Sequence, residues 1–285
     1  MVSEEEVPVK LSCEVLGVSR SGFYAWTQRP ESKSNKSNEA LTMKIKEIHW
    51  VSRGTYGLPR IRVHLKNQRI VCGKTRLAKL MKRARISGLL KRRFKIKTTD
   101  SNHSNPIAER VFKTEEVSTH PTRPNQVWAS DISYLPTEKG FLYLATYLDL
   151  YTRKIVGFSM GDHMRTSLIE SALDMALGRQ GLIGGELLSH SDRGTQYASE
   201  QYRTKLARLN IRASMSRKGN CWDNSAAESF FATLKKELVY RKIYKNHEEA
   251  KKSVFEYIEV WYNRTRIHSS IGYMTPTQFE ASIAA

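Results

Sequence analysis

The sequence predicts an α/β protein: a mixed sheet flanked by helices, preceded by an all-α helix-turn-helix domain. Three consecutive strand-like runs joined by short turns lie between residues 127 and 160, and helix and strand patterns alternate from 166 to 240. This order is typical of a mixed sheet with helices on its faces. Upstream, from 39 to 97, apolar residues recur at helical spacing, which predicts a helical domain.

The charge balance points to a polyanionic partner. The 285 residues include 47 Lys and Arg against 28 Asp and Glu, a formal net charge of +19. Sixteen of the basic residues, and no acidic residue, lie between Ile48 and Thr99. Nucleic acid is the commonest partner of such a segment, because an idle surface would normally mix both signs. A solvated basic face with no specific ligand is the alternative.

The cysteines and the apolar runs exclude several protein classes. Cys13, Cys72 and Cys221 are an odd number and contain no Cys-x-x-Cys pair, which argues against a disulfide framework or a zinc knuckle. No apolar run approaches the length of a membrane span, and the acidic segment from Met1 to Lys10 lacks a signal-peptide core. We therefore expect a soluble, cytoplasmic protein with no membrane partner.

Residues 1–30 contain a partial helix-turn-helix segment. Within Leu11 to Trp26, Gly17 predicts a turn and Ser19 predicts the N-cap of a second helix. The two helices either pack as a small hairpin or contact DNA. Arg29 to Asn38 is polar and rich in turn-forming residues, which predicts a linker.

Residues 39–97 are predicted to form a basic helix-turn-helix DNA-binding domain. Its helices are expected at 39–52, 58–67 and 73–84, and three short helices with a basic last one fit such a unit. The third helix has an apolar stripe of Leu77, Leu80, Met81 and Ala84, and the segment 91–97 continues the positive charge. The candidate DNA contacts are Arg76, Lys79, Arg83, Arg92 and Arg93.

A linker and the sheet follow. Residues 98–125 contain three prolines and little periodicity, which predicts an extended linker that lies along a DNA backbone. Residues 126–285 hold strands predicted at 127–135, 141–150, 154–160, 186–190 and 211–215, and helices at 166–179, 199–209 and 223–240. Among the acids here, Asp149 is interpreted as a turn residue near Arg153, and Asp223 as a helix N-cap.

Three further acids on separate elements suggest one metal site. Asp131 interrupts an apolar strand, where an unpaired charge is costly, and Asp192 follows a strand at the edge where open sheets gather ligands. Glu228 borders the apolar face of the last helix. Taken alone, Asp131 could instead pair with an arginine and Asp192 could serve a turn. Together, the acids would raise one another's pKa unless a cation compensated their charge.

Magnesium is the expected cation, because it takes oxygen ligands from carboxylates and substrate phosphates. Two Mg²⁺ ions, or Mn²⁺ in their place, can activate an attacking oxygen and stabilise a leaving one. Lys235 returns to nearly the same helical face as Glu228, where it either holds substrate phosphate or is a solvated lysine.

Several motifs together resemble the DDE transposases of bacterial insertion sequences, in particular the second-frame (orfB) product of the IS3 family, which is related to retroviral integrases. Thirty-five residues separate Asp192 from Glu228. The motifs around the acids are Trp128-x-x-Asp131-Ile132-x-Tyr134, His190-Ser191-Asp192-Arg193-Gly194-x-Gln196-Tyr197 and Glu228-Ser229-Phe230-Phe231-x-x-Leu234-Lys235. Two more are Thr55-Tyr56-Gly57-x-Pro59-Arg60-Ile61 and Trp261-Tyr262-Asn263-Arg264-x-Arg266-x-His268.

The resemblance implies a ribonuclease-H-like integrase catalytic core with a C-terminal tail in residues 126–285. It implies that Asp131, Asp192 and Glu228 are the catalytic metal ligands and that Lys235 is the basic residue beside them. The implied reaction is metal-dependent cleavage at insertion-sequence ends followed by strand transfer into target DNA, by a homo-oligomer on the terminal inverted repeats.

The family also implies an upstream-frame product, carrying a helix-turn-helix and a leucine zipper, as fusion or partner. This chain has no zipper heptads and lacks the zinc pattern of retroviral integrases. Two alternative functions stay open: a plain nuclease on the same fold, and a DNA-binding regulator of transposition with an idle catalytic core. Arg264, Arg266 and His268 either bind DNA or cap the core.

Overall fold

A computed structural model describes residues 8–89, 105–112, 121–182, 185–216 and 224–284 of the chain. The first described elements are the short helices α1 (Val9–Val15) and α2 (Arg20–Thr27). Gly17 takes a φ of +65° between them, and the Ser19 hydroxyl caps α2 by accepting a hydrogen bond from the Gly22 amide at 3.1 Å. The predicted turn and N-cap are therefore confirmed.

The basic segment folds as three helices, α3 (Lys33–Val51), α4 (Leu58–Asn67) and α5 (Lys74–Arg83). The prediction of a linker from Arg29 to Asn38 is wrong in its second half, because α3 begins inside it. The Ser32 hydroxyl accepts a hydrogen bond from the Asn35 amide at 3.1 Å, and this N-cap starts the helix two turns before its buried stripe of Leu41, Ile45 and Ile48.

The second half of the chain contains a five-stranded mixed sheet. Its strands are β1 (Val127–Thr137), β2 (Gly140–Asp149), β3 (Ile155–Gly161), β4 (Leu188–Ser191) and β5 (Arg212–Met215). Their spatial order is β3-β2-β1-β4-β5; the first three are antiparallel neighbours, whereas β4 runs parallel to both β1 and β5. All five strands predicted from the sequence are present.

Helices cover both faces of the sheet. One face packs against α6 (Thr166–Gln180) and α8 (Glu200–Arg208), with the one-turn helix α7 (Thr195–Ala198) at its edge. The other face packs against α9 (Ser225–Glu237) and α10 (His247–Glu256). The neighbours Val127 and Trp128 are buried on opposite faces, as the two-residue period of a strand requires.

Two segments expected to be loose are packed. In the predicted linker 98–125, Val111 and Phe112 are buried, and both amides donate to the Ser214 hydroxyl of β5 at 3.1 Å. The predicted C-terminal tail contains α10, a π-helical turn (Tyr257–Tyr262) and α11 (Pro276–Ala284). No helix in the described ranges is both long and apolar enough to cross a membrane.

A buried ion pair joins α9 to the C-terminal segment. The Glu237 carboxylate accepts hydrogen bonds from the Arg266 guanidinium at 2.9 to 3.1 Å, from the Tyr257 hydroxyl at 2.9 Å and from the Trp261 indole at 3.0 Å. Both charged side chains are less than a tenth exposed. Such a pair tolerates burial only because its geometry and additional donors satisfy it.

The helical domain contacts Ile267, the residue that follows Arg266 of the buried ion pair. The Tyr56 hydroxyl accepts a hydrogen bond from the Ile267 amide at 2.9 Å, and the Arg60 guanidinium donates to the Ile267 carbonyl at 3.1 Å. Tyr56 itself is buried, and its ring packs against that of Trp261 with the centroids 5.9 Å apart and the planes tilted by 41°. The C-terminal segment is therefore held between α9 on one side and the start of α4 on the other.

We expect Arg266→Met to lower the free energy of unfolding by about 3–5 kcal/mol, because it leaves the Glu237 carboxylate buried without a counter-charge. The exposed neighbour Arg264 provides the matched control, and Arg264→Met should change stability by less than about 0.5 kcal/mol. Urea unfolding followed by circular dichroism measures both variants. Equal effects of the two substitutions would contradict the assigned burial, and adding Glu237→Gln to Arg266→Met should recover part of the loss.

Candidate active site

Asp131 and Asp192 lie side by side because of the pairing of β1 with β4. The parallel register places Ser130 opposite Ser191, so the next residue on each strand is one of the two aspartates. Both line one pocket together with Gly194, Gln196 and Tyr197. The structure thus brings together two acids separated by sixty residues of sequence.

Local hydrogen bonds orient these two carboxylates. One oxygen of Asp131 accepts from the Ile132 amide at 2.8 Å, and one oxygen of Asp192 accepts from the Gly194 amide at 3.0 Å. A side chain at position 194 would meet that Asp192 oxygen at 3.1 Å, so glycine suits this close approach. Asp192 therefore takes part in a turn, which was the alternative interpretation of this residue, and it also lines the pocket.

Tyr197 forms the floor of the pocket. Its hydroxyl lies 2.8 Å from that of Ser130, the residue before Asp131, and its ring is buried. Burial raises the pKa of the Tyr197 hydroxyl well above its usual range, and the charges of Asp131 and Asp192 raise it further. The hydroxyl therefore stays protonated. Sequence reasoning assigned Tyr197 no role, although its place in the Asp192 motif was the available signal.

Glu228 is brought to the same edge by the start of α9. The Asn224 amide group donates to the Ser130 carbonyl at 3.2 Å and ties the first residue of the helix to β1 beside Asp131. Glu228 lies one turn further on, with an exposed side chain. Asn224 occupies the N-cap position of α9, and the predicted cap, Asp223, lies outside the described residues.

The pKa values of Asp131 and Glu228 respond to the charges of the neighbouring acids. Burial raises the pKa of Asp131 well above its usual range, followed in size by the charge of Asp192, and the charge of Glu228 adds to them. Partial burial and then the charge of Asp192 raise the pKa of Glu228. Negative charge at this edge is therefore undercompensated by the protein itself.

Lys235 is the cation beside this cluster. Its ammonium group lies 4.9 Å from the centre of the Tyr134 ring, two turns along α9 from Glu228. Burial lowers the pKa of Lys235, and the charge of Asp131 opposes that shift. The lysine is half-buried and lies within electrostatic reach of Asp131.

The donor set suits a hard divalent cation. It consists of carboxylate oxygens with uncompensated charge, which Mg²⁺ prefers. In the described ranges, no three His, Cys, Asp or Glu side chains enclose a single ion position. Asp131 and Asp192, which line one pocket, and Glu228 on α9 are the residues that would hold such an ion.

Family models and relatives match this chain along nearly all of its length. Two models described as "Integrase core domain" match residues 121–221 and 228–282, and one described as "HTH-like domain" matches 36–94. Transposase InsF for insertion sequence IS3A of Escherichia coli (strain K12) is 37% identical over 97% of this chain and 95% of its own length. The chain belongs to the IS3 family of insertion-sequence transposases.

Other relatives agree with this placement. A 31 kDa protein of insertion element IS600 from Shigella sonnei is 43% identical over 94% of this chain and 96% of its own. The transposase for element IS904 of Lactococcus lactis is 37% identical over 88% and 98%. The mixed sheet of the transposase is accordingly the ribonuclease-H-like sheet of an integrase core, preceded by an HTH-like helical region.

The candidate DNA contacts on α5 lie outside the acidic pocket. Arg76, Lys79 and Arg83 are exposed on α5, and none lines the acidic pocket. The Arg76 guanidinium donates to Asn38 at 2.9 Å and to Ser37 at 2.8 Å, so it is held against α3. Arg92 and Arg93 lie outside the described residues.

The C-terminal basic residues divide between the two roles left open. Arg266 and His268 are buried and cap the core, whereas Arg264 is exposed. Burial lowers the pKa of His268 to about 3, and the charge of Arg266 contributes, so the imidazole is neutral at physiological pH.

Asp149 is a turn acid, as its position in the sequence indicated. Its carboxylate accepts hydrogen bonds from the amides of Asn125, Tyr151 and Thr152.

We expect Asp131→Asn to raise the melting temperature of the metal-free protein at neutral pH. A group whose pKa is raised on folding favours the folded state at low pH, and that contribution is lost as the pH rises through the folded pKa. Removing the charge should therefore stabilise the folded protein at neutral pH, and this gain should vanish as the pH falls to the ordinary aspartate pKa.

Thermal melts in EDTA across this pH range measure the effect, with the exposed acid Asp162 as the control through Asp162→Asn. Added Mg²⁺ should raise the melting temperature of the unsubstituted transposase more than that of Asp131→Asn. A lower melting temperature of Asp131→Asn at neutral pH would show that Asp131 is compensated within the protein.

Proposed function

We propose that this transposase cuts DNA at the ends of its element to free a 3′-hydroxyl, and then uses that hydroxyl to attack a second phosphodiester. The observation that carries the proposal is the meeting of Asp131, Asp192 and Glu228 at one edge of the sheet. Both steps are the same displacement at phosphorus. Water is the nucleophile in the first step, and the DNA hydroxyl is the nucleophile in the second.

We infer that the three carboxylates hold two Mg²⁺ ions, for which Mn²⁺ can substitute. The uncompensated negative charge at this edge supports the inference, because burial and then the charges of Asp192 and Glu228 raise the pKa of Asp131. When bound, such ions supply activation of the attacking oxygen and neutralise charge on the leaving oxygen.

The protein's own groups orient the DNA around the acids. The half-buried Lys235 ammonium contacts a non-bridging phosphate oxygen, and the charge of Asp131 beside it favours its protonated form. The protonated Tyr197 hydroxyl and the Gly194 backbone shape the pocket floor so that a phosphate approaches Asp192 closely. Preorganised cations and dipoles of this kind stabilise the charge that develops on phosphorus oxygens.

The basic helical region holds the terminal inverted repeats in this proposal. Its exposed residues contact mainly phosphates, which position the DNA without reading its sequence. We extend the proposal to a homo-oligomer that pairs two ends, to an upstream-frame helix-turn-helix and leucine-zipper product as fusion or partner, and to a cytoplasmic location. The residues assigned to DNA are Arg76, Lys79, Arg83, Arg92, Arg93 and Lys235.

Two other functions share parts of this site. A plain nuclease would use the same acids to hydrolyse DNA without joining it, and a regulator of transposition would bind DNA with an idle core. The presence of all three acids, two of which line one pocket, disfavours the regulator. The products formed from labelled ends separate the nuclease from the transposase.

Asp192→Asn should reduce both end cleavage and strand joining by at least about 10²-fold, because it removes charge that acts in the transition state, while DNA affinity stays nearly unchanged. The assay uses DNA with labelled terminal repeats, Mg²⁺ or EDTA, and gel separation of cut and joined products. Asp162→Asn, an exposed acid near the end of β3, should remain active. Full activity of Asp192→Asn would refute the site, and cleavage without joined products would favour the nuclease.

A further inference from the structure

A second cleft lies beyond the C-terminal end of α9, where the helical domain meets the sheet domain. One wall is the C-terminal half of α3, with Lys46, His49 and Trp50, and the turn after it, with Arg53; the opposite wall is Leu238 and Arg241. Its volume is about 680 Å³, within the range of roughly 300–1,000 Å³ that small-molecule sites occupy. We call it the α3–α9 cleft. Neither the acids of the active site nor the basic residues of α5 line it.

Trp50 is the unexplained residue of this cleft. Its side chain is 82% exposed, although tryptophan carries one of the largest apolar surfaces of any residue. The buried stripe of α3 consists of Leu41, Ile45 and Ile48, so Trp50 does not serve the core of the helical domain. An exposed aromatic ring among cations is the platform on which unpaired bases stack.

The charge of the cleft suits a polyanion. Lys46 is exposed and makes no ion pair with any residue in the described ranges. Arg241 donates to the Arg53 carbonyl at 2.6 Å, a neutral partner that leaves its charge in place. Glu237 also lines the cleft, but Arg266 neutralises it. The Arg53 guanidinium forms an ion pair with Glu256 at 2.7 Å. The net charge of the side chains that line the cleft remains positive.

Helix α9 spans the distance between the acids and the cleft. Leu238 follows Glu228 by ten residues, about 15 Å at roughly 1.5 Å per helical residue, and Lys235 lies between them. A stacked strand covers that distance in about four nucleotides at roughly 3.4 Å each. A strand that leaves the acids along α9 would therefore reach Leu238, in the wall of the cleft, within a few nucleotides of the reacting phosphate.

We propose that the α3–α9 cleft binds unpaired nucleotides of the DNA strand that leaves the active site. Trp50 stacks on one base, and Lys46 and Arg241 contact the flanking phosphates. The inference rests on the proposed function, because it takes the direction of the strand from the acids. It adds a binding subsite, specific for single-stranded DNA, that is separate from the helix-turn-helix surface.

The test measures binding alone, so that it does not depend on catalysis. A blunt DNA hairpin and the same hairpin with a six-thymidine overhang are titrated with the full chain in EDTA, and fluorescence anisotropy reports the affinity. The unsubstituted protein should prefer the overhang. Trp50→Ala should reduce that preference by about 5- to 100-fold, as expected for the loss of one stacked base, whereas Trp50→Phe should keep most of it.

The chain offers a matched control in Trp26, which is 69% exposed on α2 and lies outside the cleft. Trp26→Ala should leave the overhang preference unchanged, and because the titration runs in EDTA its outcome is separate from that of the proposed catalysis. Lys46→Ala combined with Arg241→Ala should weaken overhang binding and reduce its dependence on salt. An unchanged preference in Trp50→Ala, or an equal loss for the blunt and overhang hairpins, would overturn the proposal.

Discussion

The fold brings three carboxylates to one edge of its sheet, where they repel one another. The rest of the structure has to hold them there. Asp131 and Asp192 are neighbours because β1 and β4 run parallel and in register, and the start of α9 adds Glu228. Burial raises the pKa of Asp131 and of Glu228, and the charges of the neighbouring acids raise them further. The metal-free protein therefore gives up stability here, as sites built for charge stabilisation commonly do.

Two anchors hold α9 in place against this repulsion. At its N-terminal end, Asn224 donates to the carbonyl of Ser130, one residue before Asp131. At its C-terminal end, Glu237 is buried against Arg266. The adjacent residue Ile267 bonds to both Tyr56 and Arg60 of the helical domain. The two family motifs that lie furthest apart in sequence thus meet, and they link the DNA-binding helices to the helix that carries Glu228 and Lys235.

Much of this arrangement could be predicted because periodicity is a local property. The alternation of buried residues located all five strands, and the helical stripe of Leu77, Leu80 and Met81 located α5. The candidate acids also followed from local signs, since a charge inside the apolar β1 is costly unless it has a role. The convergence of the acids rested on the family resemblance.

The parts that sequence could not supply are set by tertiary contacts. The polar segment before Leu41 is helical because the Ser32 hydroxyl caps it, and Phe112 is buried only because β5 presents Ser214 to its amide. Arg266 and His268 have the composition of a DNA-binding surface, yet the partner that draws Arg266 inward, Glu237, lies twenty-nine residues away. Charge alone does not distinguish a buried ion pair from a phosphate contact.

The most direct test of the central claim is a crystal structure of the full chain with Mn²⁺, read by anomalous scattering. The account predicts manganese peaks at the edge formed by β1, β4 and α9, with carboxylate oxygens of Asp131, Asp192 and Glu228 at about 2.0–2.2 Å, by analogy with the short contacts of Mg²⁺. Manganese bound elsewhere, or an edge without manganese whose carboxylates point apart, would contradict it.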